Sequence, residues 1–317
     1  MYKVSLAPMV DRTDTHFRNF IRMINEDIEL YTEMITTQAI LNGYKEKILK
    51  KTSEENPVVL QIATSSLNES IEAAKIIKYT DYNSVNINVG CPSDRVSGHN
   101  MGAYLMSEPQ LVRDIAQAVK EYSGKPVSIK NRIGIDGKGI LENDRKIVTY
   151  EELLDFIDIT NVDKYIVHAR IAILKGLSPK ENRTIPPLDY DMVYRLKKDR
   201  PNLEIEINGG IKTIEDIVNH HNYVDSVMIG RTFYDNPMLA NEINKLNGKV
   251  EIEIKDILKK MFHYVKKIEE NGEKPHHFLR HTLGLFYNTP YSKLWKNKIS
   301  PTNSNSNDIL EFLSIIV

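Results

Sequence analysis

The chain contains one cysteine, one tryptophan and almost no net charge, its 42 lysines and arginines meeting 43 aspartates and glutamates to leave -1 over 317 residues. A lone cysteine, Cys91, excludes an intrachain disulfide and fits a reducing compartment. With no second cysteine beside it, no metal site is expected there. A near-neutral total excludes a globally basic nucleic-acid binder, so any such surface must be a local patch. No apolar run approaches the roughly 18 residues of a membrane span, so no membrane association is expected. The apolar run Val4–Met9 begins almost at once, and no signal or transit peptide is expected. The default is a cytoplasmic, monomeric protein. What is present is an ordinary globular balance, 41% hydrophobic and 27% charged, long enough for one large or two unequal domains.

Short apolar runs alternate with longer amphipathic ones. Strands are predicted at Val4–Met9, Leu30–Met34, Val58–Ile62, Ser84–Gly90, Val127–Ile133, Tyr165–Arg170, Glu204–Asn208 and Ser226–Gly230. Helices are predicted between them at Thr15–Ile24, Leu67–Lys78, Pro109–Glu121, Tyr150–Ile159, Asp189–Lys198 and Ile214–His221. This rhythm matches a TIM (β/α)8 barrel. A doubly wound sheet is the alternative, disfavoured because no G-x-G-x-x-G turn follows the first strand. After about Lys249 only helices are predicted, at Ile254–Ile268, His276–Phe286 and Ile309–Ile316. The division is therefore a barrel over 1–248 and a smaller all-α domain over 249–317. Ser300–Asn307 reads as a loop, and the glycine- and charge-rich Asp136–Lys146 as a mobile one.

Strand side chains alternate faces. Asn86 and Asn88 oppose Val85, Ile87 and Val89; Ser128, Lys130 and Arg132 oppose Ile129 and Ile133; His168 shares a face with Arg170. If the apolar faces meet the helices, these polar groups point into the barrel near its C-terminal mouth, where the fold keeps its active sites. Together with Asn208 they imply a polar ligand, because each buried polar group needs a partner. Asn208-Gly209-Gly210 and Gly230-Arg231 end strands seven and eight, the usual phosphate site of the fold, and FMN or a sugar phosphate would suit them. Cys91 follows Gly90 in a turn at the mouth, where a thiol could act as a nucleophile or as a proton donor.

Several stretches resemble the tRNA-dihydrouridine synthases. They are Ala7-Pro8-Met9 with Thr13-Asp14, Tyr31-Thr32-Glu33-Met34, and Asn86 to Ser93 around Cys91 with Asp94-Arg95-Val96 and Met101-Gly102-Ala103. Lys130 to Gly134, His168-Ala169-Arg170, Asn208-Gly209-Gly210 and Gly230-Arg231 follow in order, and Gly176 to Arg183 with Ile185 to Leu188 is most similar to the DusA subgroup. The resemblance implies an enzyme that binds FMN, takes hydride from NADPH and reduces the C5–C6 bond of uridine in the tRNA D-loop, at position 20/20a in that subgroup. It implies that Cys91 protonates C5. Pro8, Met9, Gln61, Lys130 and His168 would meet the flavin, and Asn208, Gly209, Gly210, Gly230 and Arg231 its phosphate. Asn88 would face the target uracil.

A base inside folded RNA must leave its stack to reach such a pocket, and the enzyme needs cations for the phosphates. From Lys274 to Asn307 there is no aspartate or glutamate, while Lys274, Arg280, Lys293, Lys296 and Lys298 lie there with three histidines. Tyr287, Tyr291 and Trp295 are expected to add aromatic surface. The resemblance implies tRNA contact through Lys180 and Arg183 of the barrel and Lys293 and Lys296 of the helical domain. The subgroup tends to carry arginines where the last two stand, and lysine lacks their planar fork. Two other readings fit parts of the pattern: a flavin reductase of a free pyrimidine, and a tRNA-binding folding helper.

Overall fold

Alternation along the strands fixes what each face meets. The computed structural model describes residues 1–93 and 100–316, so Asp94-Arg95-Val96 lies outside the described residues. Eight parallel strands close into a barrel: β1 (Val4–Leu6), β2 (Glu29–Tyr31), β3 (Val58–Ala63), β4 (Ser84–Val89), β5 (Val127–Arg132), β6 (Lys164–His168), β7 (Glu204–Asn208) and β8 (Ser226–Ile229). Pairing of β1 with both β8 and β2, and of β2 with β3, completes the circle. The predicted strands all exist, mostly shorter at their C-terminal ends, where the chain leaves the ladder to build the mouth.

Helices follow the strands. Besides the single turn Lys45–Ile48, they are α1 (Thr15–Ile24), α2 (Thr37–Asn42), α3 (Leu67–Ile77), α4 (Pro109–Ser123), α5 (Tyr150–Thr160), α6 (Tyr190–Asp199), α7 (Ile214–His221), α8 (Arg231–Asp235) and α9 (Leu239–Leu246) among the described residues. Side-chain caps start several of them: Asp14 accepts from the amides of His16 and Phe17, and Thr149 and Thr213 form capping boxes with Glu152 and Asp216. The outer strand faces, among them Leu6, Leu60, Ile87, Ile129, Val167, Ile207 and Ile229, are buried under these helices.

Inside the barrel the side chains form layers. At the N-terminal end Lys164 lies 2.8 Å from Glu29 and 3.4 Å from both Glu204 and Glu206. Ser5 Oγ donates to Glu206 at 2.5 Å, and the Tyr31 hydroxyl to Glu29 at 3.2 Å. Burial opposes the Lys164 charge, but Glu206, Tyr31 and Glu29 outweigh it and hold the ammonium above its ordinary pKa. Above this ionic base Ala7, Tyr31, Val59, Ile166 and Met228 form an apolar layer. The mouth lies above that.

The helical segment comprises α10 (Ile254–Glu270), α11 (His276–Leu279), α12 (Ser292–Ile299) and α13 (Ser306–Ile316). The helix predicted at His276–Phe286 stops at Leu279, and residues 280–290 run in turns. Gly284 explains part of this: a Cβ there would stand 2.6 Å from the Asp235 carbonyl oxygen, so the chain is pressed against the barrel. Arg280 and His281 bond Asp14 at 3.1 and 3.0 Å across the same junction. Asp136–Lys146, predicted as a mobile loop, is tied at its base. Ile135–Asp136 pairs antiparallel with Lys146–Ile147 and parallel with Ala172–Ile173.

Removing one member of a buried ion pair strands the other charge. Lys164→Ala should therefore cost about 3–5 kcal/mol in urea denaturation, while Lys164→Met with Glu206→Leu recovers most of it. A single variant within about 1 kcal/mol of the parent would show that the base layer is not a stabilising lock.

Candidate active site at the barrel mouth

Register brings the polar strand residues together. Gln61 stands beside Asn86, Asn88 beside Lys130, and His168 between Arg132 and Asn208. Asn88 Nδ2 donates to Gln61 Oε1 at 2.9 Å, Gln61 Nε2 to Asn86 Oδ1 at 2.8 Å, and Asn86 Nδ2 to Ser128 Oγ at 2.8 Å. This ladder crosses three strands and satisfies buried amides that would otherwise be costly. Asn88 Oδ1 also accepts the backbone N–H groups of Gly90 and Cys91, at 3.2 and 3.0 Å. The residue expected at the uracil is thus the one that shapes the cysteine turn.

Arg132 grips that turn from the other side. Its Nε donates to the Gly90 carbonyl at 2.9 Å, and Nη1 to the carbonyls of Ile171 and Asn182, both at 3.0 Å. It is buried, and burial lowers its pKa to about 10. Gly90 has little room for more, since a Cβ would stand 3.3 Å from the Lys130 carbonyl oxygen. The sequence reading placed Arg132 on the inward face but assigned it no role; its partners are backbone carbonyls, which no side-chain pattern reveals. Burial pushes the Cys91 thiol above its ordinary pKa, although Arg132, Arg183 and Lys130 pull the other way. The result is a neutral thiol among cations.

At the other end of the mouth, Gly209 and Gly210 have φ of 117° and 77°, a region that disfavours other residues. A Cβ on Gly209 would lie 3.3 Å from His168 Nε2, and one on Gly210 would lie 2.7 Å from the Tyr190 hydroxyl. Tyr190 donates to the Gly209 carbonyl at 2.8 Å, turning that peptide. Gly230 precedes α8, and a Cβ there would meet Ala7 at 3.3 Å and Met9 Sδ at 3.5 Å. Pro8 and Met9 therefore border the same rim; the Met9 amide is held by Thr13 Oγ1 at 2.9 Å.

Lys130 Nζ donates to Asn208 Oδ1 at 3.0 Å, and Asn208 Nδ2 to the Met228 carbonyl at 2.8 Å. Burial, then the charge of Arg132, lowers the Lys130 ammonium to about 7. His168 is held neutral by burial and by the surrounding cations, and its buried Nδ1 has no hydrogen-bond partner among the described residues. An orphaned imidazole nitrogen, a softened lysine and a glycine cradle together suit a phosphorylated ring ligand. Arg231 is exposed, with Nη2 on the Arg183 carbonyl at 3.3 Å.

Lys180 and Arg183 stand exposed on the rim, and Lys293 and Lys296 are exposed on α12 without an ion pair among the described residues. Three other members of the expected basic face are not available. Lys298 is held by Asp308 at 3.1 Å and by Glu311. Arg280 and His281 are spent on Asp14. Trp295, expected at the surface, is fully buried and donates Nε1 to the Thr282 carbonyl at 2.8 Å, packed on Phe286 and Phe312. Tyr287 and Tyr291 are exposed as expected. No helix among the described residues is long and apolar enough to cross a membrane.

A family model described as dihydrouridine synthase (Dus) matches residues 5–315. The chain is 44% identical to the tRNA-dihydrouridine(20/20a) synthase of Vibrio vulnificus (strain CMCP6), over 94% of this chain and 90% of that protein. It is 43% identical to the protein of the same name from Synechocystis sp., over 94% and 88%. Among solved structures it is similar to morphinone reductase, with TM-score 0.52 and 12% identity over 80% of this chain and 88% of that one, a likeness of fold. Spanned almost end to end by that family model, the chain belongs to the dihydrouridine synthase family of oxidoreductases.

Proposed function

We propose that this chain is a flavin-dependent tRNA-dihydrouridine synthase that reduces the C5–C6 bond of D-loop uridine, at the 20/20a positions named for its relatives, with NADPH as reductant. The observation that carries this reading is the half-buried, neutral Cys91 thiol at the mouth, flanked by Lys130 and Arg132 and backed by Asn88. A flavin mononucleotide held at the mouth would, when reduced, be the source of the hydride for C6. Cys91 gives its proton to C5, so the two additions balance as one hydride and one proton across the double bond, and the thiolate left behind is reprotonated from solvent. A thiol kept above its ordinary pKa arrives at neutral pH with that proton in place. Arg132, Arg183 and Lys130 then stabilise the thiolate that forms.

Pro8, Met9, Gln61, Lys130 and His168 would hold the flavin ring. Lys130 would face charge that develops on the ring, and neutral His168 would offer its orphaned Nδ1. Asn208, Gly209, Gly210, Gly230 and Arg231 would hold the phosphate, the glycines by leaving backbone N–H groups unshielded. Asn88 keeps the cysteine turn in place and retains one Nδ2 hydrogen for the extruded base. Lys180 and Arg183 on the barrel, with Lys293 and Lys296 on the helical segment, would meet tRNA phosphates. In this reading residues 1–248 form the catalytic domain and 249–317 a tRNA-binding one.

Cys91→Ala should retain the flavin spectrum and lose about 10²–10⁴-fold in dihydrouridine formation on unmodified tRNA, read by mass spectrometry of nucleosides. Unchanged product, or equal activity on free uridine, would defeat the assignment. A second expectation concerns pH. The acceptor edge of the flavin ring would bind best to charged Lys130, whose free ammonium titrates near 7, and such a hydrogen bond raises that value. FMN affinity, followed by fluorescence quenching, should therefore fall as pH rises from about 7 to 9, and Lys130→Met should flatten the dependence. A pH-independent affinity in the parent protein would contradict it.

A further inference from the structure

The helical segment holds a cavity of about 520 Å³ that the reaction does not use, walled by Lys274, His276 and His277 on one side and by residues 302–305 on the other. Glu269 is the one acid in this wall, and it is engaged: its carboxylate accepts the Ser306 amide at 2.9 Å and the Ser306 hydroxyl at 2.8 Å. The neighbouring Glu273 is paired with Lys50 at 2.9 Å. Lys274 and His277 are exposed and make no ion pair among the described residues, and His276 Nδ1 is buried with no hydrogen-bond partner among them. A lysine and two imidazoles thus face a concave space whose one carboxylate is already engaged. That chemistry recognises an oxyanion.

Position says which one. The His277 ring stacks on His16 at 6.4 Å, and His16 lies in the first turn of α1, at the mouth end of the barrel. Between the cavity and Cys91 the cations continue. Arg280 is spent on Asp14, but Arg12 covers the Tyr234 ring at 4.4 Å, and burial, then Arg231 and Arg12, pull Arg183 below the usual guanidinium value. Arg183, Arg12 and the His16–His277 stack thus mark the way from the mouth to the cavity across the junction of barrel and helices.

We propose that this cavity is a phosphodiester subsite, in which Lys274, His276 and His277 seat one backbone phosphate of the RNA whose uridine enters the mouth. This rests on tRNA being the substrate. It differs from the contacts expected of Lys293 and Lys296, which lie on α12 and do not line the cavity.

The test uses the flavin-loaded full chain with Lys274→Ala, the pair His276→Gln and His277→Gln, and Lys78→Ala as a control beyond the C-terminal end of α3, away from the mouth. Affinity for unmodified tRNA is measured against KCl concentration, beside steady-state kinetics. Lys274→Ala should flatten the plot of log K against log salt by about one and raise the tRNA KM about tenfold with kcat within about twofold. Lys274→Arg should restore both, and Lys78→Ala should change neither. A salt slope and KM equal to the parent's in Lys274→Ala and in the histidine pair would overturn the subsite. Parent enzyme that binds tRNA but forms no dihydrouridine would defeat the proposed function instead, while the slopes still decide the cavity.

Discussion

Two opposing influences meet at Cys91. Burial penalises the thiolate and keeps the proton on sulfur, while Arg132, Arg183 and Lys130 favour its departure. Burial prevails in the resting protein, so the thiol is an acid in waiting with its conjugate base already provided for. The same cations also hold the scaffold. Arg132 joins the cysteine turn to the carbonyls of Ile171 and Asn182, so the loop bearing Lys180 and Arg183 is fixed relative to the sulfur. Charge and position are set by one side chain.

Strand register supplies the rest. Because β-strand side chains alternate, placing Ile87 and Ile129 under helices obliges Asn86, Asn88, Ser128 and Lys130 to face inward. Those amides are affordable only because they bond one another in sequence from Asn88 to Ser128. The apolar layer of Tyr31, Val59, Ile166 and Met228 then separates this mouth from the ionic base around Lys164. The two polar layers do not compete for partners. Across that layer Glu206 of the base still acts on Lys130 of the mouth through its charge, without a shared hydrogen bond among the described residues.

Alternation and amphipathic period made the barrel legible in the sequence, and α1 and α7 begin and end where those patterns place them. The residues grouped around Cys91, Lys130, His168 and Asn208 do meet at one mouth, since register follows from the buried faces. Other features depend on partners far along the chain. Lys298 looked free because Asp308 and Glu311 lie just beyond the acid-free stretch. Trp295 looked like surface because composition does not say which side of a short helix is covered by Phe286 and Phe312. The end of α11 at Leu279 follows from the approach of Gly284 to the barrel backbone, a tertiary constraint that overrides an apolar helical period.

Since Cys91 is the only cysteine in the chain, its titration can be followed without mutation or labelling of others. The most direct measurement is the pH dependence of iodoacetamide alkylation of the flavin-loaded protein, with the modified residue identified by mass spectrometry. The account predicts a midpoint above the ordinary thiol value of about 8.5, leaving sulfur protonated at neutral pH. A thiol already ionised at pH 7 would contradict it, because a resident thiolate has no proton to give.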